Sequence, residues 1–79
     1  MFDELDTVVL ATDIKKYGLK QGDIGTVVHT YSDKKAVKAE FLTAEGETVA
    51  VLTLKPNDIR PIAKDEILHV RGFTSFALN

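Results

Sequence analysis

The sequence predicts an all-β domain of five short, mostly antiparallel strands followed by a C-terminal appendage. Three observations carry this. The stretch Gly22 to Tyr31 runs from a turn pair, Gly22-Asp23, through a second glycine, Gly25, into a series rich in β-branched residues. Ala36 to Phe41 alternates, with Val37, Ala39 and Phe41 in one phase and Lys38 and Glu40 in the other, the period of a strand with one wet face. Short polar turns, Ser32-Asp33-Lys34-Lys35 and Ala44-Glu45-Gly46-Glu47, separate the β-rich runs.

Taken in order, Phe2 to Leu5 is too short for a stable helix; one turn would put Phe2 and Leu5 on a shared face. Thr7 to Ala11 reads as the first strand, ended by Thr12-Asp13. From Thr12 to Gln21 no period holds. Lys15, Lys16 and Lys20 keep this long loop wet, Ile14, Tyr17 and Leu19 fold it back on the core, and Gly18 suits a positive φ. The second strand is Gly25 to Tyr31 and the third Ala36 to Phe41. Gly46 suits a left-handed turn position before the fourth, Thr48 to Leu54. Val49 and Val51 share one phase there and Leu52 and Leu54 the other, so a bulge near Val51-Leu52 is expected. Lys55 to Ile59 is a turn, and Arg60 to Ile62 a short fifth strand. Pro61 has no N–H for a ladder, which places that strand at an edge. The expected core is Val8, Leu10, Leu19, Ile24, Val27, Val37, Ala39, Phe41, Val49, Val51, Leu54 and Ile59.

The segment 63–79 reads as an appendage to the domain at 1–62. Ile67, Leu68, Val70, Phe73, Phe76 and Leu78 make it too apolar for a solvated tail. Ile67 to Val70 could add a strand, stopped by Gly72, and Phe73 and Phe76 are spaced as on one helical turn. Such a segment covers its own core, docks on another chain or frays at the end of the chain.

Composition excludes several function classes. At 79 residues the chain is one small domain with a modest core. It has no cysteine, which removes disulfides, thiolate metal sites and cysteine nucleophiles. Ten Lys and Arg against twelve Asp and Glu give a formal charge of −2, whereas nucleic-acid binders depend on a basic excess. No apolar run approaches the roughly 20 residues that span a bilayer, and the acidic start, Phe2-Asp3-Glu4-Leu5-Asp6, is not a signal peptide. A cytoplasmic location follows as the expectation.

The order of strand, long loop, Gly22-Asp23-Ile24-Gly25-Thr26-Val27-Val28, hairpin, strand, short turn and Ile59-Arg60-Pro61 resembles the SH3-like barrels. With Val8-Val9-Leu10, Gly18-Leu19-Lys20 and Ala50-Val51-Leu52-Thr53-Leu54, it is similar to a family of small bacterial proteins whose domain has no assigned function. The resemblance spans residues 7–62 and implies a five-stranded, mostly antiparallel SH3-like barrel. Related shapes serve in peptide-binding modules, in KOW-type nucleic-acid modules and as accessory subunits of enzymes, so the likeness implies a fold rather than a reaction.

No constellation of catalytic side chains emerges. His29 and His69 lie far apart in the chain, and a metal site would need both to converge with carboxylates such as Glu40 or Glu66. Ser32 sits in a turn and Ser75 near the C-terminus, neither in the context of a catalytic nucleophile. Gly22 and Gly25 lead into a strand and lack a following Lys-Ser/Thr, so they read, with Asp23, as structural turn residues and not as a phosphate loop. Tyr17 in the long loop and Tyr31 at the end of the second strand stand where peptide-binding barrels carry groove aromatics. Lys15, Lys16 and Lys20, with Lys34, Lys35 and Lys38, form two lysine clusters that would serve a KOW-like nucleic-acid module if both loops faced one way, but the interspersed acidic residues favour solvated loop lysines. The reading is a non-catalytic protein-interaction or accessory module without cofactor or metal, self-associating through its tail. Its candidate partner-binding residues are Tyr17, Tyr31, Leu68, Val70, Phe73 and Phe76; a KOW-like module and a small subunit of a larger enzyme are the alternatives.

Overall fold

The computed structural model describes residues 2–32 and 36–73. Five strands, β1 (Thr7–Leu10), β2 (Ile24–Thr30), β3 (Val37–Leu42), β4 (Thr48–Leu54) and β5 (Ile59–Pro61), form one sheet in the order β4-β3-β2-β1-β5. Every pairing is antiparallel. The expected strands are therefore present, within a residue or two at their ends. The sheet is not closed into a barrel by hydrogen bonds: among the described residues β4 and β5 pair only with β3 and β1, and they form its two edges. Pro61 accordingly sits in an edge strand, opposite Val8.

One face of the sheet carries the core. Val8, Leu10, Val27, Val37, Ala39, Phe41, Ala50, Leu54 and Ile59 are buried together with Leu19 from the long loop. Phe2, Ile14, Val49 and Leu52 pack against this cluster while half-buried. Val9 is also buried, at 4% exposure, yet lies outside the cluster, as alternation between Val8 and Leu10 requires. Ile24, expected in the core, is only half-buried.

Register explains where β4 departs from expectation. Ala39 pairs with Leu52, Phe41 with Ala50 and Val37 with Leu54. Paired residues project to the same face, so Ala50, Leu52 and Leu54 follow the inward phase of β3. Val51, opposite Glu40, is turned outward and 46% exposed, not buried as expected. No bulge occurs at Val51-Leu52. The register shifts instead between Phe41 and Leu42, whose partners are Ala50 and Thr48, so Val49 is skipped and both it and Ala50 can reach the core. A second shift, between Val27 and His29, skips Val28 and leaves it 39% exposed.

The long loop closes on itself through reciprocal hydrogen bonds between Ile14 and Leu19, with N···O distances of 2.8 and 3.1 Å, around a single 3₁₀ turn at Lys15–Tyr17. This buries Leu19 and leaves Tyr17 36% exposed. A second 3₁₀ turn, Pro56–Asp58, leads from β4 to β5; its Asp58 carboxylate accepts from the Lys55 N–H at 3.0 Å. At the N-terminus Phe2 packs on the core, whereas Leu5 is 82% exposed, so the two share no face.

Beyond β5 the chain turns at residues 63–66. Arg60 and Glu66 form two 2.7 Å hydrogen bonds, and Glu66 also accepts from the Ala63 N–H at 2.7 Å. Residues 67–73 form neither strand nor helix, so the extra strand at Ile67 to Val70 is absent. No helix of the described residues is long and apolar enough to cross a membrane.

Candidate functional site around Asp23

The feature that ties the tail to the sheet is the turn before β2. Gly22 has φ +97°, a left-handed conformation that side chains rarely adopt, and this conformation brings Asp23 back under the long loop. The Gly22 N–H donates to the Leu10 carbonyl and the Leu10 N–H to the Asp23 carbonyl, each at 2.9 Å. Position 23 is thereby fixed against β1, and its side chain is directed inward with only 9% exposed.

A carboxylate removed from water costs several kcal/mol unless its charge and lone pairs are met. Here they are. Oδ2 accepts from the Lys20 N–H at 2.8 Å and from Arg71 Nη2 at 2.6 Å. Oδ1 accepts from Arg71 Nε at 2.7 Å and faces His69 Nε2 at 3.1 Å; against an ionised carboxylate that nitrogen carries the proton. Arg71 Nη2 also donates to the Gly18 carbonyl at 2.9 Å. Burial pushes the Asp23 carboxyl upward, but hydrogen bonds from Arg71 and the Lys20 N–H, the charge of Arg71 and the contact with His69 outweigh it and hold the group below its ordinary value. The same contact raises the Arg71 guanidinium further.

The side chains of the tail divide between the domain and the outside. His69 and Arg71 turn toward Asp23, while Leu68 and Val70 are 63% and 93% exposed. Ile67 is 94% exposed and Phe73 37%. An open cleft of about 470 Å³ runs beside this contact, bordered by Leu19, Ile24, Phe41, Leu42, Val70 and Phe73. A smaller apolar cleft of about 280 Å³ lies between Phe2, Thr30, Val37, Leu54, Pro56 and Ile59.

The residues singled out from the sequence divide among separate places. Gly22, Asp23 and Gly25 form the turn, but Asp23 does more than turn the chain. Tyr17 borders an open cleft that Thr53 also lines, and the Tyr31 hydroxyl is 3.1 Å from Thr53 Oγ1. Tyr31 also stands edge-on to His29. Leu68, Val70 and Phe73 lie on the tail; Phe76 and Ser75 lie outside the described residues, as do Lys34 and Lys35 of the second lysine cluster. Among the described residues no three His, Asp or Glu side chains converge as a metal-binding group. Sequence reasoning missed His69 and Arg71 as partners of Asp23. The signal available was their period-2 spacing against Leu68 and Val70 in an otherwise apolar tail.

Fold and site together define a small all-β domain with a C-terminal segment fastened to it by an ion pair. The family described as Domain of unknown function (DUF4926) matches residues 4–61, and the chain belongs to that family. Asp23 lies inside the matched residues; His69 and Arg71 lie beyond them. Comparison with curated proteins and with solved structures gave no match.

Proposed function

We propose that this chain is a non-catalytic protein-interaction module on an SH3-like barrel plan, and that it associates through its C-terminal segment. The strand order and the 3₁₀ turn between β4 and β5 support the plan, with side chains from all five strands sharing one core in place of a closed hydrogen-bond ladder. The observation that carries the functional reading is the orientation of the tail. Its polar residues hold it to the sheet, and Ile67, Leu68 and Val70, the residues best able to bury apolar area against a partner, face outward. A second copy of the chain is the first partner to test.

Light scattering coupled to size-exclusion chromatography, on the full chain and on one ending at Ala63, reads this directly. The full chain is expected to associate as concentration rises and the shortened one to remain monomeric. Because shortening also removes Arg71, the pair Leu68→Ser and Val70→Ser is measured beside it, which removes the apolar strip and keeps the ion pair. Two monomers of equal stability would sink the reading.

A further inference from the structure

The contact between Asp23 and Arg71 has the architecture of a binding site with its ligand in place. The acceptors of Nε and Nη2 come from residues 18–23, inside the domain, while Nη1 donates to the tail's own Gly72 carbonyl at 3.0 Å; the arginine itself comes from 48 residues beyond Asp23. The receptor side is organised independently of Arg71: the Lys20 N–H holds Oδ2, and the hydrogen bonds linking Gly22 and Asp23 with Leu10 hold the backbone. Asp23 takes Nε and Nη2 side by side, and the Gly18 carbonyl takes a further N–H of Nη2. That fork suits the planar arginine side chain and not the point charge of lysine.

Besides Arg71, the resident segment contributes His69 Nε2, 3.1 Å from Asp23 Oδ1, and Phe73, which is 37% exposed. Residues 67–73 add no strand to the sheet, and Ile67 and Val70 are almost wholly exposed. Beside the socket the open cleft offers apolar surface from Leu19, Ile24, Phe41, Leu42 and Val49, next to Glu45 and Glu47, and the tail's own Val70 and Phe73 border it too. We infer that Asp23 and the Gly18 carbonyl form a guanidinium socket for an extended, arginine-bearing segment of a protein partner, and that Arg71 is an intramolecular occupant which such a segment replaces. Charge complementarity selects the arginine, and the cleft receives an apolar side chain next to it. The chain's own tail holds the socket at high effective concentration, so a partner must bury more apolar area in the cleft than Val70 and Phe73 do to displace it. This inference does not depend on the outward strip formed by Leu68 and Val70.

The test uses the full chain with Arg71→Ala, labelled with ¹⁵N, and a capped octapeptide of residues 66–73, Glu-Ile-Leu-His-Val-Arg-Gly-Phe. The octapeptide is expected to shift the Lys20 and Asp23 amides saturably, at least tenfold more tightly than it does in the unmodified chain, whose socket is occupied. An octapeptide with alanine in place of its arginine is expected to bind at least tenfold more weakly. Equal binding of the two peptides, or no saturation by about 10 mM, overturns the inference. Should Arg71→Ala lose its dispersed amide spectrum, Arg71→Gln takes its place in the same titration. A dimer of the unmodified chain that Arg71→Ala dissolves and Val70→Ser leaves intact would assign the socket to the tail of a second copy and overturn its assignment to a separate partner.

Discussion

The ring of Phe41 occupies the space a side chain at position 25 would need: a Cβ built on Gly25 stands 2.7 Å from Phe41 Cε2 and 2.9 Å from Cζ. Phe41 is 2% exposed, so its ring can move only by disturbing the core around it. Gly25→Ala is therefore expected to cost about 1–3 kcal/mol, and Gly25→Val more, read as a lower urea midpoint. Pairing Gly25→Ala with Phe41→Leu should recover part of the loss; a double variant no better than additive would show that the clash lies elsewhere.

Asp23→Asn leaves Arg71 beside a neutral amide and is expected to destabilise the chain by about 2 kcal/mol at neutral pH. The pH dependence follows from the depressed carboxyl. Its folded-state value lies below the ordinary 3.8, so the stabilisation is complete above that value and disappears as pH falls through the lower folded one. Melting temperatures measured from neutral pH into acid should fall more steeply for the natural chain than for Asp23→Asn. Parallel curves would mean that Asp23 is not ionised in the fold.

The outward phase of Val51 predicts tolerance. Val51→Lys is expected to change stability by less than about 0.5 kcal/mol, while Leu54→Ala, in the inward phase of the same strand, loses about 2–4 kcal/mol. Chemical denaturation of both decides the register; a large loss from Val51→Lys would place it in the core after all.

Leu5 has φ 74° and is 82% exposed, so a leucine is held in the left-handed region with little packing in return. Its N–H still donates to the Val27 carbonyl at 2.7 Å, which keeps the conformation in place. Leu5→Asn, which tolerates that region, is expected to raise stability by about 0.5–1 kcal/mol. A lower unfolding midpoint would refute the strain.

Much of the architecture was legible because it rests on local rules. Alternation in Val37 to Phe41 announced β3, and polar turns separated the hairpin strands. Pro61, lacking an N–H, announced an edge. The phase of β4 was not legible. Val49, Val51, Leu52 and Leu54 are all apolar, and composition cannot choose between two faces when both phases are apolar. The pairing of Phe41 with Ala50 made that choice, and placed the bulge at Val49.

Residues 22–31 show the same division. The chain's chemistry settled that a turn rich in glycine would feed a β-branched strand, because φ preferences and β-propensity act within a few residues. Two roles awaited the folded chain. Gly25 is small because Phe41, sixteen positions later, lies over it. Asp23 can be buried as an ion because Arg71, forty-eight positions later, folds back to meet it. Neither partner has a fixed spacing from the turn. A carboxylate next to a glycine therefore reads as turn chemistry until the long-range contact brings its counter-ion within 2.6 Å.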